Sequence, residues 1–419
     1  MNQATSFLNK RIVPALTVLS ENTYLSAIRA GMVSVVPLTI IGGLFIIVSF
    51  LPVNGWDKII APYLQLLQVP VTATFGLLSV FVCFAIGYDL GKQFKLEAIV
   101  SATMATIIFL MIQLKLGEKP DDIAFSMDSL GSKGLFTAVI IALISVRVQK
   151  FFTDKNIVIK LPKNVPPVVY ESFLSLSPLF FLVLVFWVIR FVLGVDIDHI
   201  VQTVFKPVVF ALNTLPGILV YAFLVTLLWS VGINGDNAMD AIVAPIFLQY
   251  LAANVEAMTA GQPLPYVTAY GFFTAFVNVG GTGATIALAL VMLNSKEPGY
   301  RKVSRLSLPT QIFQINEPIF FGFPIVLNPI FMIPYILNAL ILTASSFLLM
   351  QWGLIRKPLV NVPWTTPPII GHYLVSGGDW RAAVWGAVSI VIAMAVYYPF
   401  AKAAERQRLK AEAEGKAHE

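Results

Sequence analysis

The sequence contains almost no cysteine and little histidine. Cys83 is its single cysteine and lies inside an apolar run, and the three histidines are scattered along the chain. One thiol cannot build a disulfide framework or a cysteine-based metal cluster, and isolated imidazoles do not make a metal-ligand set. These absences exclude zinc and disulfide redox chemistry, and we expect neither a metal site nor a cofactor.

Charge is also scarce. Charged residues make up 12% of the chain and hydrophobic residues 57%, and the mean hydropathy is +0.81, far from the profile of a soluble globular domain. The formal net charge is +6, but the basic residues lie in loops and tails beside apolar runs, as the positive-inside rule requires. The composition predicts an all-α polytopic membrane protein and gives no reason to expect a nucleic-acid partner.

Apolar runs approaching the roughly 20 residues of a membrane-spanning helix follow one another along the chain. They are residues 30–52, 74–88, 98–114, 134–152, 172–195 and 382–401, with further spans inside 241–295 and 318–352. We expect residues 207–235 to form one long helix. The length rule predicts about ten transmembrane helices.

Loop charge predicts the orientation of these spans. Residues 147–163 carry five Lys or Arg side chains against one acid, whereas residues 115–133 carry four acids and three lysines. The first loop is therefore predicted to be cytoplasmic and the second external. The tail 402–419, which is rich in Lys and Arg, is also placed inside, so both termini are expected to be cytoplasmic.

Charge and proline also suggest how the chain is divided. Residues 1–28 interleave charged and apolar positions and lack the features of a signal peptide, so we interpret them as an amphipathic interfacial segment. A basic, proline-bearing connection at 156–169 then marks a boundary. We predict a transmembrane scaffold at 29–170 and a transmembrane region at 171–401 that contains the substrate-binding transport domain.

Polar and helix-breaking residues are concentrated at membrane depth within 229–373. The stretches are WSVGINGDNAMD, FVNVGGTGAT, INEPIFFGFP and NVPWTTPPIIGH. Interrupted backbone is tolerated in a bilayer only where its polar groups are buried in protein or line a watery cavity. Such discontinuous helices carry the substrate sites of secondary transporters, so the second half is predicted to hold the site.

Several motifs resemble those of a known family. VPPVVYESFLSLSP, WSVGINGDN, FVNVGGTGAT, INEPIFFGFPIVLNP and NVPWTTPPIIG resemble, in order and spacing, the lactose/cellobiose (diacetylchitobiose) family of enzyme IIC components. These proteins are the membrane subunits of the bacterial phosphoenolpyruvate-dependent sugar phosphotransferase system. The resemblance covers nearly the whole chain.

The resemblance implies a fold and a function. The fold has ten spans, with two re-entrant hairpins in the C-terminal half, a homodimer built mainly through the N-terminal half, and a mobile substrate domain. The substrates are β-linked disaccharides such as cellobiose, diacetylchitobiose or lichenan-type oligosaccharides, imported across the bacterial cell membrane. A phosphocysteine on a separate soluble IIB protein, charged by IIA, phosphorylates the sugar 6-hydroxyl, so the chain itself is a non-autonomous subunit.

Glu317 is the main candidate for catalysis. It is followed by residues 318–355, which contain no charged side chain, and a charged group inside the membrane is by default a functional hypothesis. We predict that Glu317 accepts hydrogen bonds from sugar hydroxyls and that its carboxylate either orients the 6-hydroxyl or takes its proton. The alternative is that it pairs with a basic residue or caps a turn before Pro318.

The stretch GINGDNAMD departs from the family pattern. Asn234 stands where the resemblance places the histidine of a Gly-Ile-His-Gly motif. Asparagine cannot act as a general base, although its amide can still hydrogen-bond a sugar hydroxyl. We predict that Asn234, Asp236 and Asn237 bind substrate; the alternative is N-capping of the following helix.

Further binding candidates come from the other polar stretches. They are Asn278, Thr282, Asn316, Trp364 and His372. Small-residue helix packing is the alternative for the glycine-rich FVNVGGTGAT, and interfacial anchoring is the alternative for Trp364, whose ring suits stacking on a pyranose. His372 is equally open to a structural role.

An ion-coupled sugar symporter, or a facilitator without phosphorylation, is the alternative function. A proton symporter places several acidic and basic partners within its spans, and the predicted spans here contain few. The sequence therefore favours the phosphotransferase reading.

Overall fold

The computed structural model describes residues 22–117, 123–157, 159, 173–323 and 325–416, with the backbone alone described for 412–416. Most of the predicted interfacial segment 1–28 and most of the connection 156–169 lie outside these residues. Their predicted roles, and the division between scaffold and transport domain, stay predictions.

The described residues are mostly helical. In chain order the α-helices are α1 Thr23–Ser34, α2 Val36–Ser49, α3 Trp56–Ile60, α4 Leu64–Thr74, α5 Leu78–Gln93, α6 Ala98–Gln113, α7 Met127–Leu130, α8 Leu135–Asp154, α9 Leu176–Trp187, α10 Ile197–Leu212, α11 Leu215–Ser230, α12 Gly235–Thr259, α13 Ile286–Met292, α14 Pro298–Ile312, α15 Glu317–Gly322, α16 Pro329–Gln351, α17 Pro368–Val375 and α18 Trp380–Lys416. A 3₁₀ turn (Ala61–Tyr63) precedes α4, and π-helical turns follow α9 (Val188–Val192) and precede α13 (Phe272–Val277).

Long apolar helices confirm the predicted multi-span membrane architecture. In the described part of the chain, six helical segments are long and apolar enough to cross a bilayer: Thr23–Ser49, Trp56–Gln93, Leu135–Asp154, Gly235–Thr259, Pro329–Gln351 and Trp380–Ala411. The helices α6 and α11 are apolar but shorter. A sharp bend of 88° separates Leu176–Val192 from α10.

The predicted single helix over 207–235 is wrong. The chain breaks between α10 and α11, where Thr214 Oγ1 accepts a hydrogen bond from Gly217 N at 3.3 Å and caps α11. Asn213 turns away from the helix axis, and its Oδ1 accepts a hydrogen bond from Val267 N at 2.9 Å. The run Asn-Thr-Leu-Pro carries this helix-start signal, a capping residue followed by proline in the first turn.

Within the described residues, a pair of short antiparallel strands departs from the all-α expectation. The strands β1 (Leu114–Leu116) and β2 (Ile123–Phe125) pair antiparallel, with Leu114 opposite Phe125. Residues 115–133 alternate too little to show these strands by periodicity, and three-residue strands fall below the length at which a pattern is informative.

Close helix packing organises the N-terminal half around α5, which contacts α1, α6 and α8. Glycines allow this approach: a Cβ on Gly87 would lie 3.0 Å from Ala102 Cα, and one on Gly91 would lie 2.6 Å from Ser101 Cβ, both on α6. Within a membrane, small residues at a helix crossing supply the packing that lipid cannot. The helices α5 and α6 therefore pack with their backbones in close contact.

Two apolar cores meet in the C-terminal half. One continues from the N-terminal helices into α12, the turn Phe272–Val277 and α16. The other is built from α13, α15, α16 and the far end of α18, with Tyr335 and Tyr397 fully buried in it. The interrupted segments take part in this packing, since Val279 and Ala284 of the glycine-rich stretch and Ile319 and Phe320 of α15 are buried in the second core.

We predict that Gly91→Val destabilises the protein. The added side chain collides with Ser101, and overpacking of this kind costs about 1–3 kcal/mol. Thermal unfolding of the purified protein in detergent measures the effect. Thr103→Val, on the exposed face of α6, is the matched control and should leave the unfolding temperature unchanged. An unchanged value for Gly91→Val would show that α5 and α6 separate freely.

Candidate functional site

The start of α12 carries three of the predicted binding residues. Asn234 occupies the N-cap, and its Oδ1 accepts a hydrogen bond from Asn237 N at 2.9 Å. The capping alternative is thus realised, but through Oδ1 alone. The Asn234 side chain is exposed, and its Nδ2 group has no partner among the described residues. Asn237 is also exposed. Both amides are therefore accessible to a ligand.

Asp236 joins three segments of the chain. Its Oδ2 accepts hydrogen bonds from Trp229 Nε1 at 2.7 Å and from Thr282 Oγ1 at 2.8 Å. Capping of α12 falls to Asn234, so Asp236 is a bridge between α11, α12 and the glycine-rich stretch. The Trp229 ring in turn contacts Phe320 of α15 edge-on, at 5.3 Å between ring centroids.

The glycine-rich stretch forms a tight irregular turn before α13. Gly280, Gly281 and Gly283 have φ values of +72°, +104° and +76°, a region that side chains disfavour. The turn also needs space, since a Cβ on Gly283 would lie 2.2 Å from Tyr335 Cδ2. Asn278, at its start, is partly exposed.

Gln314 holds this turn, and sequence reasoning missed it. Its Oε1 accepts hydrogen bonds from Gly280 N at 3.0 Å and Gly281 N at 3.1 Å. Its Nε2 donates to Thr274 O at 2.9 Å and to Thr366 O at 3.3 Å. One amide therefore satisfies four backbone groups of two interrupted segments. The sequence signal that could have identified Gln314 was its position in a polar stretch, three residues before Glu317.

Asn316 and Thr282 connect the glycine-rich turn to α15. Asn316 Nδ2 donates to Thr282 O at 3.0 Å, and both residues are 6% exposed. These two side chains are engaged by the protein and brace the turn. Their predicted contacts with substrate stay predictions.

Glu317 opens α15, and its side chain is exposed. Neither the basic partner nor the capping bond of the alternative reading is present for its carboxylate among the described residues. Because Asn316 is fixed against Thr282, the position of Glu317 is defined even though its side chain is free. The arrangement presents an accessible carboxylate, a hydrogen-bond acceptor for hydroxyl groups.

Trp364 lies in a turn that follows residues 356–363, which have no regular secondary structure, and its side chain is 58% exposed. The turn is brought to the site by the contact of Thr366 O with Gln314. The ring is therefore largely open, and its stacking on a pyranose stays a prediction.

His372 occupies a different environment. Its ring is fully buried, Nδ1 contacts Pro368 O at 2.5 Å, and the ring meets Phe276 edge-on at 4.6 Å between centroids. Gly386 makes room for it, since a Cβ there would lie 2.9 Å from the imidazole Nδ1. In this conformation the imidazole offers no surface to a ligand, which agrees with the structural reading; its binding role stays a prediction.

A second acid extends the polar surface along α12. Asp240, one turn beyond Asp236, interacts electrostatically with Asp236 and with Arg29 of α1. The Nε and Nη2 atoms of Arg29 are buried without a hydrogen-bond partner in the described part of the chain. Charged groups of the N-terminal and C-terminal halves therefore face each other beside the site.

Comparison with known proteins gives the site its context. The sequence profile of the family described as "Phosphotransferase system, EIIC" matches residues 29–339. The chain is 33% identical to the lichenan permease IIC component of Bacillus subtilis (strain 168), over 98% of this chain and 96% of that protein. It is 35% identical to the cellobiose-specific EIIC component of the phosphotransferase system of Geobacillus stearothermophilus, over 97% and 96%.

A solved structure extends the likeness to the fold. The crystal structure of the transporter ChbC, the IIC component of an N,N'-diacetylchitobiose-specific phosphotransferase system, matches with a TM-score of 0.89. The two sequences are 34% identical, and the match covers 97% of this chain and 99% of that one. The resemblance stated from the motifs is confirmed. With its profile match, its relatives and its fold in agreement, this chain belongs to the EIIC family of the phosphotransferase system.

Proposed function

We propose that the chain is the translocating membrane subunit of a phosphoenolpyruvate-dependent phosphotransferase system. It imports a β-linked disaccharide and presents the sugar 6-hydroxyl to a phosphocysteine on a separate IIB protein, which IIA phosphorylates. The observation that carries the proposal is an exposed carboxylate, Glu317, in a polar segment that Asn316 and Gln314 anchor inside the apolar half of a family member.

The substrate class follows from the relatives and fits the residues. The similar proteins are named for lichenan, cellobiose and N,N'-diacetylchitobiose, and we assign a sugar of this kind to the present chain. The exposed groups suit it: amides at Asn234, Asn237 and Asn278, the carboxylate of Glu317 and the ring of Trp364. Pyranoses combine hydroxyl rims with apolar faces, which such a mixed surface complements.

The chemistry of each side chain at the site suggests its role. The Glu317 carboxylate accepts hydrogen bonds from the sugar and takes the 6-hydroxyl proton as the phosphoryl group arrives. Asn234 donates from its free Nδ2 and cannot replace a base. Asp236, which accepts from Trp229 and Thr282, and Thr282 bind substrate at the inner edge of the site.

The proposed architecture is a homodimer of ten-span subunits in the bacterial cell membrane, with both termini cytoplasmic. Residues 29–170 form the dimerisation scaffold, and 171–401 contain the transport domain with two re-entrant hairpins. In support, the six long apolar segments are accompanied by two shorter helices, one bent pair and interrupted polar stretches.

Sugar uptake tests the function directly. Vesicles containing the purified protein should accumulate cellobiose 6-phosphate only when a phosphorylated IIB protein is enclosed. Radiolabelled cellobiose is supplied outside, and the internal sugar is separated by chromatography. Free sugar that accumulates against its gradient without IIB, and is lost when the proton gradient collapses, would instead identify a symporter.

We predict that Glu317→Gln abolishes phosphorylation and weakens cellobiose binding while the protein keeps its fold. The amide is nearly isosteric but can neither take a proton nor offer two charged acceptors. Calorimetric binding and the vesicle assay measure the two effects. Glu97→Gln, at an exposed acid before α6, is the control. Unchanged binding and phosphorylation in Glu317→Gln would remove this residue from the site.

Asn234→Ser separates capping from binding. Serine preserves the N-cap acceptor but removes the Nδ2 donor, so the unfolding temperature should hold while cellobiose affinity falls about 2-fold to 10-fold, the effect of one net hydrogen bond. The matched control is Asn22→Ser, because Asn22 caps α1 in the same way, accepting from Tyr24 N at 3.0 Å. Equal affinities in both variants would assign Asn234 to capping alone.

A further inference from the structure

Aromatic residues on α18 mark the boundaries of the bilayer. Trp380 and Tyr398 are 65% and 55% exposed, and Val384, Val388 and Val391 between them are exposed as well. The two aromatic residues are 18 positions apart, about 27 Å along a helix, which matches a hydrocarbon core of roughly 30 Å. Exposed Trp and Tyr mark membrane interfaces, so α18 leaves the hydrocarbon core near Tyr398 and its later residues extend through the headgroup layer towards the water.

The start of α14 is attached to α18 at this level. Arg408 Nε lies 3.6 Å from Glu297 Oε1, and the Arg408 guanidinium stacks over the Tyr300 ring at 4.8 Å from its centroid. Glu405 Oε1 accepts a hydrogen bond from Ser295 Oγ at 2.6 Å. These contacts attach the first turn of α14 to the part of α18 that extends beyond the Tyr398 interface, so α14 begins on the headgroup side of the bilayer.

The exposed face of α14 is basic at this end. Arg301, Lys302 and Arg305 are exposed, and at 3.6 residues per turn the three positions fall within a sector of about 100° around the helix. None of the three has an ion-pair or hydrogen-bond partner among the described residues. The sequence contains no acid from 298 to 316, so the charge of this face is not neutralised locally.

The same face becomes apolar towards the end of the helix. Leu306, Ile312 and Phe313 are 67%, 44% and 53% exposed. The opposite face, with Tyr300, Ser304, Ser307 and Gln311, is buried against the protein. Cations followed by large apolar side chains on one open face are typical of a helix at the boundary between headgroups and acyl chains.

We propose that α14 is a lipid-binding helix whose Arg301, Lys302 and Arg305 side chains hold the phosphates of anionic phospholipids. Guanidinium groups bind phosphate oxygens in a bidentate geometry, and the ammonium group adds a point charge. Leu306, Ile312 and Phe313 contact the acyl chains below. The occupant is a lipid and not a soluble protein, because a water-facing surface gives no reason for three large apolar side chains to remain open.

Lipid binding at α14 bears on the site through packing. Val303 of α14 fills the space beside Gly322 of α15, where a Cβ would lie 2.4 Å from Val303 Cγ1. The first residue of α15 is Glu317. Headgroup contacts on α14 therefore hold the segment that bears Glu317 at a defined depth.

Native mass spectrometry of the full chain tests the proposal. The purified protein is titrated with phosphatidylglycerol or phosphatidylcholine, and bound lipids are counted. We expect tighter binding of phosphatidylglycerol, and a loss of at least about tenfold in its affinity in the triple variant Arg301→Gln, Lys302→Gln, Arg305→Gln. The matched control removes three exposed lysines elsewhere: Lys58→Gln, Lys115→Gln, Lys206→Gln.

The outcomes distinguish a lipid from a protein as the ligand of the exposed face of α14. Equal affinity for both lipids, or undiminished phosphatidylglycerol binding in the triple variant, overturns the proposal. A triple variant that binds lipid normally but no longer binds a phosphorylated IIB protein would assign the face to protein docking instead.

A depth measurement does not depend on the charge variants. The single native cysteine, Cys83, is buried, so Leu306→Cys and Phe313→Cys can be labelled selectively with a fluorophore. In phosphatidylglycerol-containing nanodiscs both labels should be quenched by nitroxide-bearing lipid and protected from aqueous iodide. Gln407→Cys, beyond Tyr398 on α18, should show the reverse. Iodide quenching at both α14 positions overturns the proposal.

Discussion

The side-chain amide of Gln314 supports the whole polar region. Irregular backbone inside a bilayer is stable only if each freed amide and carbonyl group finds a partner. Gln314 accepts from Gly280 and Gly281 and donates to Thr274 and Thr366, and it is only 7% exposed. Two interrupted segments, distant in sequence, thereby share one hydrogen-bonding centre. The glycine-rich turn and the Trp364 turn keep their positions because of it.

Asp236 provides the second connection. By accepting from both Trp229 and Thr282, it links α11 and α12 to the turn that Gln314 supports. The carboxylate is partly buried, and two donors offset the cost of removing it from water. Gln314 and Asp236 hold the surrounding backbone in place. The amides of Asn234 and Asn278, the ring of Trp364 and the carboxylate of Glu317 therefore remain available to a ligand on a rigid support. A binding surface of this kind loses little entropy when it meets a ligand.

The surroundings of this frame divide into packed and lipid-facing surfaces. The N-terminal helices gain their contacts through glycines such as Gly87 and Gly91, which bring backbones together where lipid supplies no hydrophobic driving force. On α18 and α14, by contrast, apolar and basic side chains remain exposed on the surface of the protein. The segment that carries Glu317 is therefore attached on one side to the protein core and packs on the other against α14, the helix that we propose binds lipid.

The sequence by itself determined the membrane class, the concentration of polar residues in the second half and the family, because hydropathy and motif order are local properties. It also contained the signal for the helix break at Asn213 and Thr214, which the prediction of one helix over 207–235 overlooked. Only the tertiary structure decided that Asp236 bridges rather than caps, that Gln314 is the hydrogen-bonding centre, that His372 is buried, and that Arg408 meets Glu297. These facts depend on which distant segments meet, and no local periodicity specifies the partner of a side chain across dozens of residues.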